Sequence, residues 1–136
     1  MSYDISLVDP VTKETLEMEF PHQMRGGTYA INGTSEVWLN ITYNYSRWYY
    51  KDGVFPDGKG IRSLYGTTGL ESISMLNNAI KTLEGITENL TKEEIAEYEA
   101  NGVKGYWLPI RQNAIKPLYQ LLVFAKARPD GIWEGD

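Results

Sequence analysis

The stretch from Glu36 to Tyr45 constrains this chain more than any other. Val37, Leu39, Ile41, Tyr43 and Tyr45 fall on one face of an extended backbone, and Trp38, Asn40, Thr42 and Asn44 fall on the other. Strict alternation in β-branched and aromatic residues predicts a half-buried strand. A strand cannot stand alone: its edges need partners and its apolar face needs a covering layer. The rest of the chain is therefore expected to pack on the Val37–Tyr45 face.

The segments before it read as strands too. Tyr3, Ile5 and Leu7 alternate with Asp4 and Ser6, and Leu16, Met18 and Phe20 alternate with Glu17 and Glu19. These two strands are expected to form an antiparallel hairpin across the Asp9–Glu14 loop, because Asp9-Pro10 begins a turn. Pro21 ends the second strand, Thr28 to Ile31 reads as a short third one, and Asn32-Gly33 is a hairpin turn leading back into the long strand. Residues 51–66 carry the turn sequences Lys51-Asp-Gly53 and Pro56-Asp-Gly-Lys-Gly60 and read as a surface loop.

Helical signals follow. Thr68-Gly-Leu-Glu71 and Thr91-Lys-Glu-Glu94 are capping boxes, in which hydroxyl and carboxylate satisfy each other's free backbone N–H groups. Ile73, Leu76, Ile80 and Leu83 recur at helical spacing, with Gly85 at the natural stop. The second helix is short and acidic and ends at Asn101-Gly102. Ala114, Leu118, Leu121, Leu122 and Ala125 give a third helix an apolar stripe, which Pro117 must kink or restart. The pattern predicts an α+β fold: an N-terminal antiparallel β-meander of about four strands, covered by two or three C-terminal helices. Residues 1–136 make one domain, with 1–50 mainly strands, 51–66 loop, 67–127 helices and 128–136 a docked tail.

Composition narrows the function classes. The net charge is −5, from 18 acidic and 13 basic residues, so DNA is not an expected partner. The absence of cysteine removes disulfides, thiol catalysis and Cys-type zinc sites. No apolar run approaches membrane-spanning length, and the first residues carry no apolar leader, so a cytoplasmic location and no membrane partner are expected. Ten Tyr and four Trp favour a protein that works through contact surfaces.

Candidates for chemistry are few. His22 is the sole histidine, and no nucleophile-elbow, phosphate-loop, dinucleotide or zinc-protease motif occurs. No catalytic residue, metal ligand set or cofactor is assigned. The run His22-Gln-Met-Arg-Gly-Gly-Thr28 is the one local constellation: Arg25 offers a planar fork of donors and Gly26-Gly27 could present backbone N–H groups in a concavity. With Tyr29 it forms a candidate site for a nucleotide, phosphate or carboxylate. Trp48, Tyr49, Tyr50 and Phe55, with Trp133 in the tail, are candidates for an interaction surface. The competing reading folds them back onto the sheet, and for any single ring that is the more frequent outcome. Trp133 lies past Pro129 and the Asp130-Gly131 turn, so the tail docks either on its own domain or on another subunit, and a homo-oligomer stays open.

The run Pro21-His-x-x-Arg-Gly-Gly-Thr-Tyr29, with Trp38-Leu-Asn-Ile-Thr-Tyr-Asn-Tyr45 and Arg128-Pro-Asp-Gly-Ile-Trp133, resembles small proteins carried by phages and prophages of Gram-positive bacteria. The resemblance covers nearly the whole chain and brings no activity with it. It implies an accessory protein of a mobile element in the host cytoplasm, one that binds a host protein or a small signalling nucleotide. Two functions follow as expectations: a non-enzymatic binding protein that sequesters or inhibits a host factor, or a nucleotide- or anion-binding protein or small hydrolase built on His22, Arg25, Gly26 and Gly27.

The helical stripe makes Leu76 a core position. Leu76→Ala should cost about 2–5 kcal/mol in denaturant unfolding; a loss below about 0.5 kcal/mol would place the stripe on the surface.

Overall fold

The computed structural model of the chain describes residues 1–22 and 33–136. The fold is α+β. Strands β1 (Ser2–Val8), β2 (Glu17–His22), β3 (Thr34–Glu36) and β4 (Trp38–Thr42) precede helices α1 (Ser46–Tyr49), α2 (Gly69–Gly85), α3 (Lys92–Ala100) and α4 (Arg111–Ala127), and β5 (Ile132–Gly135) closes the order.

Among the described residues the strands fall into two sheets rather than one meander. β1 is the middle of a three-stranded antiparallel sheet, with β4 on one side and β5 on the other, and β2 pairs with β3 in a separate two-stranded sheet. The expected hairpin between the first two strands is reduced to the Val8–Thr15 bridge and its neighbouring bonds. The reason lies at one junction. Leu7 N–H donates to the Val37 carbonyl, Val37 N–H to Leu16, and Leu16 N–H to Leu7, at 2.9–3.0 Å, closing a ring of three backbone bonds among buried side chains. Past it, the second strand leaves β1 and follows β3 instead. The third strand expected at Thr28–Ile31 lies outside the described residues.

Val37, Leu39 and Ile41 are buried on the face the alternation selects. The opposite face is covered as well: Asn40 donates to Ser2 Oγ and Asp4 Oδ1 at 2.7 and 2.8 Å, which satisfies its amide across the sheet. The strand stops at Thr42 rather than Tyr45. The Thr42 hydroxyl accepts from Asn44 N–H and caps a 3-10 turn over Tyr43–Tyr45 that runs into α1. A threonine can offer the backbone this alternative to a ladder bond, and alternation of side chains alone does not register it.

Both capping boxes form, at the starts of α2 and α3. Each holds its carboxylate, Glu71 or Glu94, below the usual glutamate range through the backbone N–H that it accepts. The N-terminus of α2 lies against the end of α4, and Gly69 permits that approach: a Cβ there would sit 2.5 Å from the Arg128 carbonyl oxygen. α4 passes through Pro117 as one helix, with no restart. The segment 51–66 is only partly a surface loop, because its 3-10 turn Gly60–Leu64 buries Ile61 and Leu64.

The tail is the third strand of the main sheet. β5 pairs with β1 from Val8–Ile132 to Ile5–Gly135. Its outer edge is closed by Thr67, whose carbonyl accepts from Trp133 N–H, and by Gly66, which donates to the Trp133 carbonyl. Trp133 is 0% exposed, and its indole N–H donates to Ser72 Oγ of α2 at 2.7 Å. Arg128 grips Asp130 through two hydrogen bonds and donates to the Glu17 carbonyl, fixing the turn into β5.

Trp133→Ala should therefore cost about 3–5 kcal/mol, and deletion of Ile132–Asp136 should lower the unfolding midpoint further. An unchanged midpoint in urea titration for both variants would contradict this packing.

Candidate binding site

Of the residues singled out for ligand binding, only His22 lies among the described residues. Arg25, Gly26, Gly27 and Tyr29 lie outside the described residues. His22 ends β2, with Nε2 2.6 Å from the Glu36 carbonyl oxygen and its ring 5.1 Å from that of Phe124. Its Nδ1 is buried with no hydrogen-bond partner. Among the described residues no group of His, Asp or Glu could hold a metal ion, and no helix is long and apolar enough to cross a membrane.

The expected aromatic surface is overturned at four of its five positions. Trp48, Tyr49, Phe55 and Trp133 are core residues, and only Tyr50 stays exposed, at 47%. The polar atoms of the two tryptophans and of Tyr49 have internal partners. Trp48 donates to the Pro109 carbonyl at 2.9 Å and Tyr49 to the Ala114 carbonyl at 2.8 Å. A ring whose donor meets a backbone acceptor can be buried without penalty, and the apolar body then favours the interior.

Those bonds build something the sequence does not display. Tyr45 donates to the Tyr106 carbonyl and Asn44 to the Trp107 carbonyl. With Trp48 and Tyr49, they hold residues 106–114 against the turn and helix at 43–49. From the other side Asn113 Nδ2 donates to the carbonyls of Gly105 and Leu108, at 2.9 and 3.0 Å. The Tyr106 hydroxyl accepts from Thr42 N–H at 2.8 Å and lies 3.3 Å from the Asn40 carbonyl oxygen. It occupies the outer edge of β4, as a neighbouring strand's peptide group would.

The pinned segment and α4 enclose a cleft of about 630 Å³. Tyr45 and Tyr106 line it with Leu108 and Ile110, and Asn113, Lys116, Pro117 and Gln120 present one face of α4 to it. Its volume falls within the range of small-molecule sites, roughly 300–1,000 Å³, and its composition, mostly apolar with a few polar groups, is the usual one. Burial pushes the Tyr45 phenol well above its ordinary pKa, with Tyr106 beside it adding to the effect, so Tyr45 stays neutral and keeps donating. Trp107, 49% exposed, stands next to Tyr106 with the two rings edge to face at 5.1 Å. A groove of about 670 Å³ beside β5, near Lys13 and Glu134, is wider open and more polar.

None of the cleft residues was singled out from the sequence as a binding residue; Tyr45 and Pro117 were read only as parts of a strand and a helix. The available signal was Gly105-Tyr-Trp-Leu-Pro109 ahead of a helix on which Asn113, Lys116, Pro117 and Gln120 share a face. No family model, curated protein or solved structure matches the chain.

Tyr106→Phe removes the hydroxyl from the β4 edge and should cost about 1–3 kcal/mol. Faster amide exchange at Thr42 would locate the loss; unchanged exchange there would show that the hydroxyl does not serve the edge.

Proposed function

We propose that the protein acts by binding rather than by catalysis, and that the cleft between residues 105–110 and α4 is where it binds. The observation that carries this is pre-organisation: the cleft's wall at 105–110 is an irregular connection held by side-chain bonds from Asn44, Tyr45, Trp48 and Asn113. A wall fixed before the ligand arrives avoids the ordering cost that weakens flexible sites. The exposed Trp107 beside it offers an aromatic contact of the kind that anchors interfaces. The resemblance to phage-borne proteins supports a role in sequestering or inhibiting a host factor in the cytoplasm.

A second reading keeps a nucleotide or other anion, or a small hydrolytic activity, at His22 with Arg25, Gly26 and Gly27. The Nδ1 of His22, buried without a partner, favours it, since buried polar atoms are normally satisfied and a ligand group would satisfy this one.

A thermal-shift screen over small molecules and nucleotides separates the two. A ligand at 100 times its Kd stabilises by about 2.7 kcal/mol, several degrees for a domain of this size. For the cleft, Gln120→Trp should abolish the shift and His22→Ala should leave it intact. The reverse pattern would support the second reading. A screen with no shift, together with no host protein retained by the immobilised chain, would overturn both.

A further inference from the structure

Resting on the cleft as the binding site, we infer that its ligand is a small molecule with an apolar, ring-bearing body and one anionic group, with Lys116 as the counter-charge. Most of the wall's polar side-chain atoms are already committed to the protein itself. The Tyr45 hydroxyl is bound to the Tyr106 carbonyl, and the Tyr106 hydroxyl sits on the β4 edge. Both donor bonds of Asn113 Nδ2 go to the 105–108 backbone. What remains for a ligand is the Lys116 ammonium, the Gln120 amide and the Asn113 side-chain oxygen, set among Leu108, Ile110, Pro117 and two tyrosine rings.

A sugar or a bare nucleoside carries more hydroxyls and ring nitrogens than these groups can match, and each unmatched group loses its hydration for nothing. A flat apolar body loses no such bonds and gains the rings. Charge selects further. Among the described residues lining the cleft, Lys116 is the one that is charged and none is a carboxylate, on a chain whose net charge is −5. An anion is therefore repelled by most of the molecule and attracted at this point. A carboxylate, sulfonate or phosphate ester would satisfy the ammonium, which is a strong charge-assisted pair.

The probe pair is anilinonaphthalene sulfonate and phenylnaphthylamine, which share one ring body and differ in the sulfonate. Both are titrated by fluorescence against the full chain, Lys116→Met and Gln120→Trp, each variant first checked for an unchanged unfolding midpoint. Wild type should bind the sulfonate at one site, roughly fivefold or more tighter than the neutral probe, and raised salt should shrink that ratio. Lys116→Met should remove the preference and leave the neutral probe's affinity unchanged, and Gln120→Trp should remove both. Equal affinity of wild type for the two probes, a measurement that needs no variant, overturns the anion inference. So does a preference that survives Lys116→Met. If Gln120→Trp still abolishes binding in those cases, the cleft itself stands. If both probes bind Gln120→Trp as they bind wild type, or bind no protein, the cleft reading falls with the inference.

Discussion

The pairing of β5 with β1 is the constraint on which the rest of the structure depends. It joins the two ends of the described chain, Ile5 to Gly135 and Val8 to Ile132, and it makes β1 a central strand with both edges used. It also delivers Trp133 to the core, where the indole bonds Ser72 of α2. Through that one residue the sheet is tied to the helical layer at a depth no solvent reaches. The approach works because Gly69 lets α2 begin against the end of α4, and because Arg128 and Asp130 hold the turn between α4 and β5. A contact so distant in sequence carries a large loop-closure entropy, so apolar burial and a satisfied indole N–H must together outweigh it.

The second organising element is the aromatic run from Tyr43 to Tyr50. As a sequence it looks like a surface for meeting partners. In the fold it is a row of donors, three aimed at the connection ahead of α4 and one, Tyr49, at the first turns of α4 itself. Tyr45, Trp48 and Tyr49 each bond a backbone carbonyl between residues 106 and 114, and Asn44 bonds another. Carbonyls in an irregular connection have no ladder partner, and burying them unpaired would be costly. The aromatic side chains solve that problem and add apolar bulk. Rigidity of the cleft follows from the same bonds, which links the core's stability to the site's readiness to bind.

Helices were far more legible than sheet order. The two capping boxes and the Leu76–Leu83 stripe are local signals, separated by three or four residues, and both boxes form. The alternation at Val37–Ile41 correctly marks a buried face. It does not say which strand lies alongside, because β1 alternates equally well against β2, β4 or β5. The Leu7–Leu16–Val37 ring of backbone bonds makes that choice, and backbone bonds leave little trace in residue identity. The cleft was illegible for a related reason. Tyr106 and Asn113 look like ordinary residues of a loop and a helix until the chain brings the Thr42 edge and the Gly105 and Leu108 carbonyls to them.

The sequence by itself determined the α+β class, the starts of α2 and α3, the apolar faces of β1, β4 and α2 and the absence of cysteine chemistry. These depend on spacing along the chain and on residue type, which are local quantities. Only the tertiary structure decided that the tail is a strand, that Trp48, Tyr49, Phe55 and Trp133 are interior, and that a cleft opens beside Lys116. For Trp48, Tyr49 and Trp133 the outcome turns on which acceptor each donor meets, and Phe55 follows by packing edge to face on Tyr49. An amphipathic ring suits a surface or a core equally, and the partner that settles the matter lies about sixty residues away in the chain: Pro109 for Trp48, Ala114 for Tyr49 and Ser72 for Trp133.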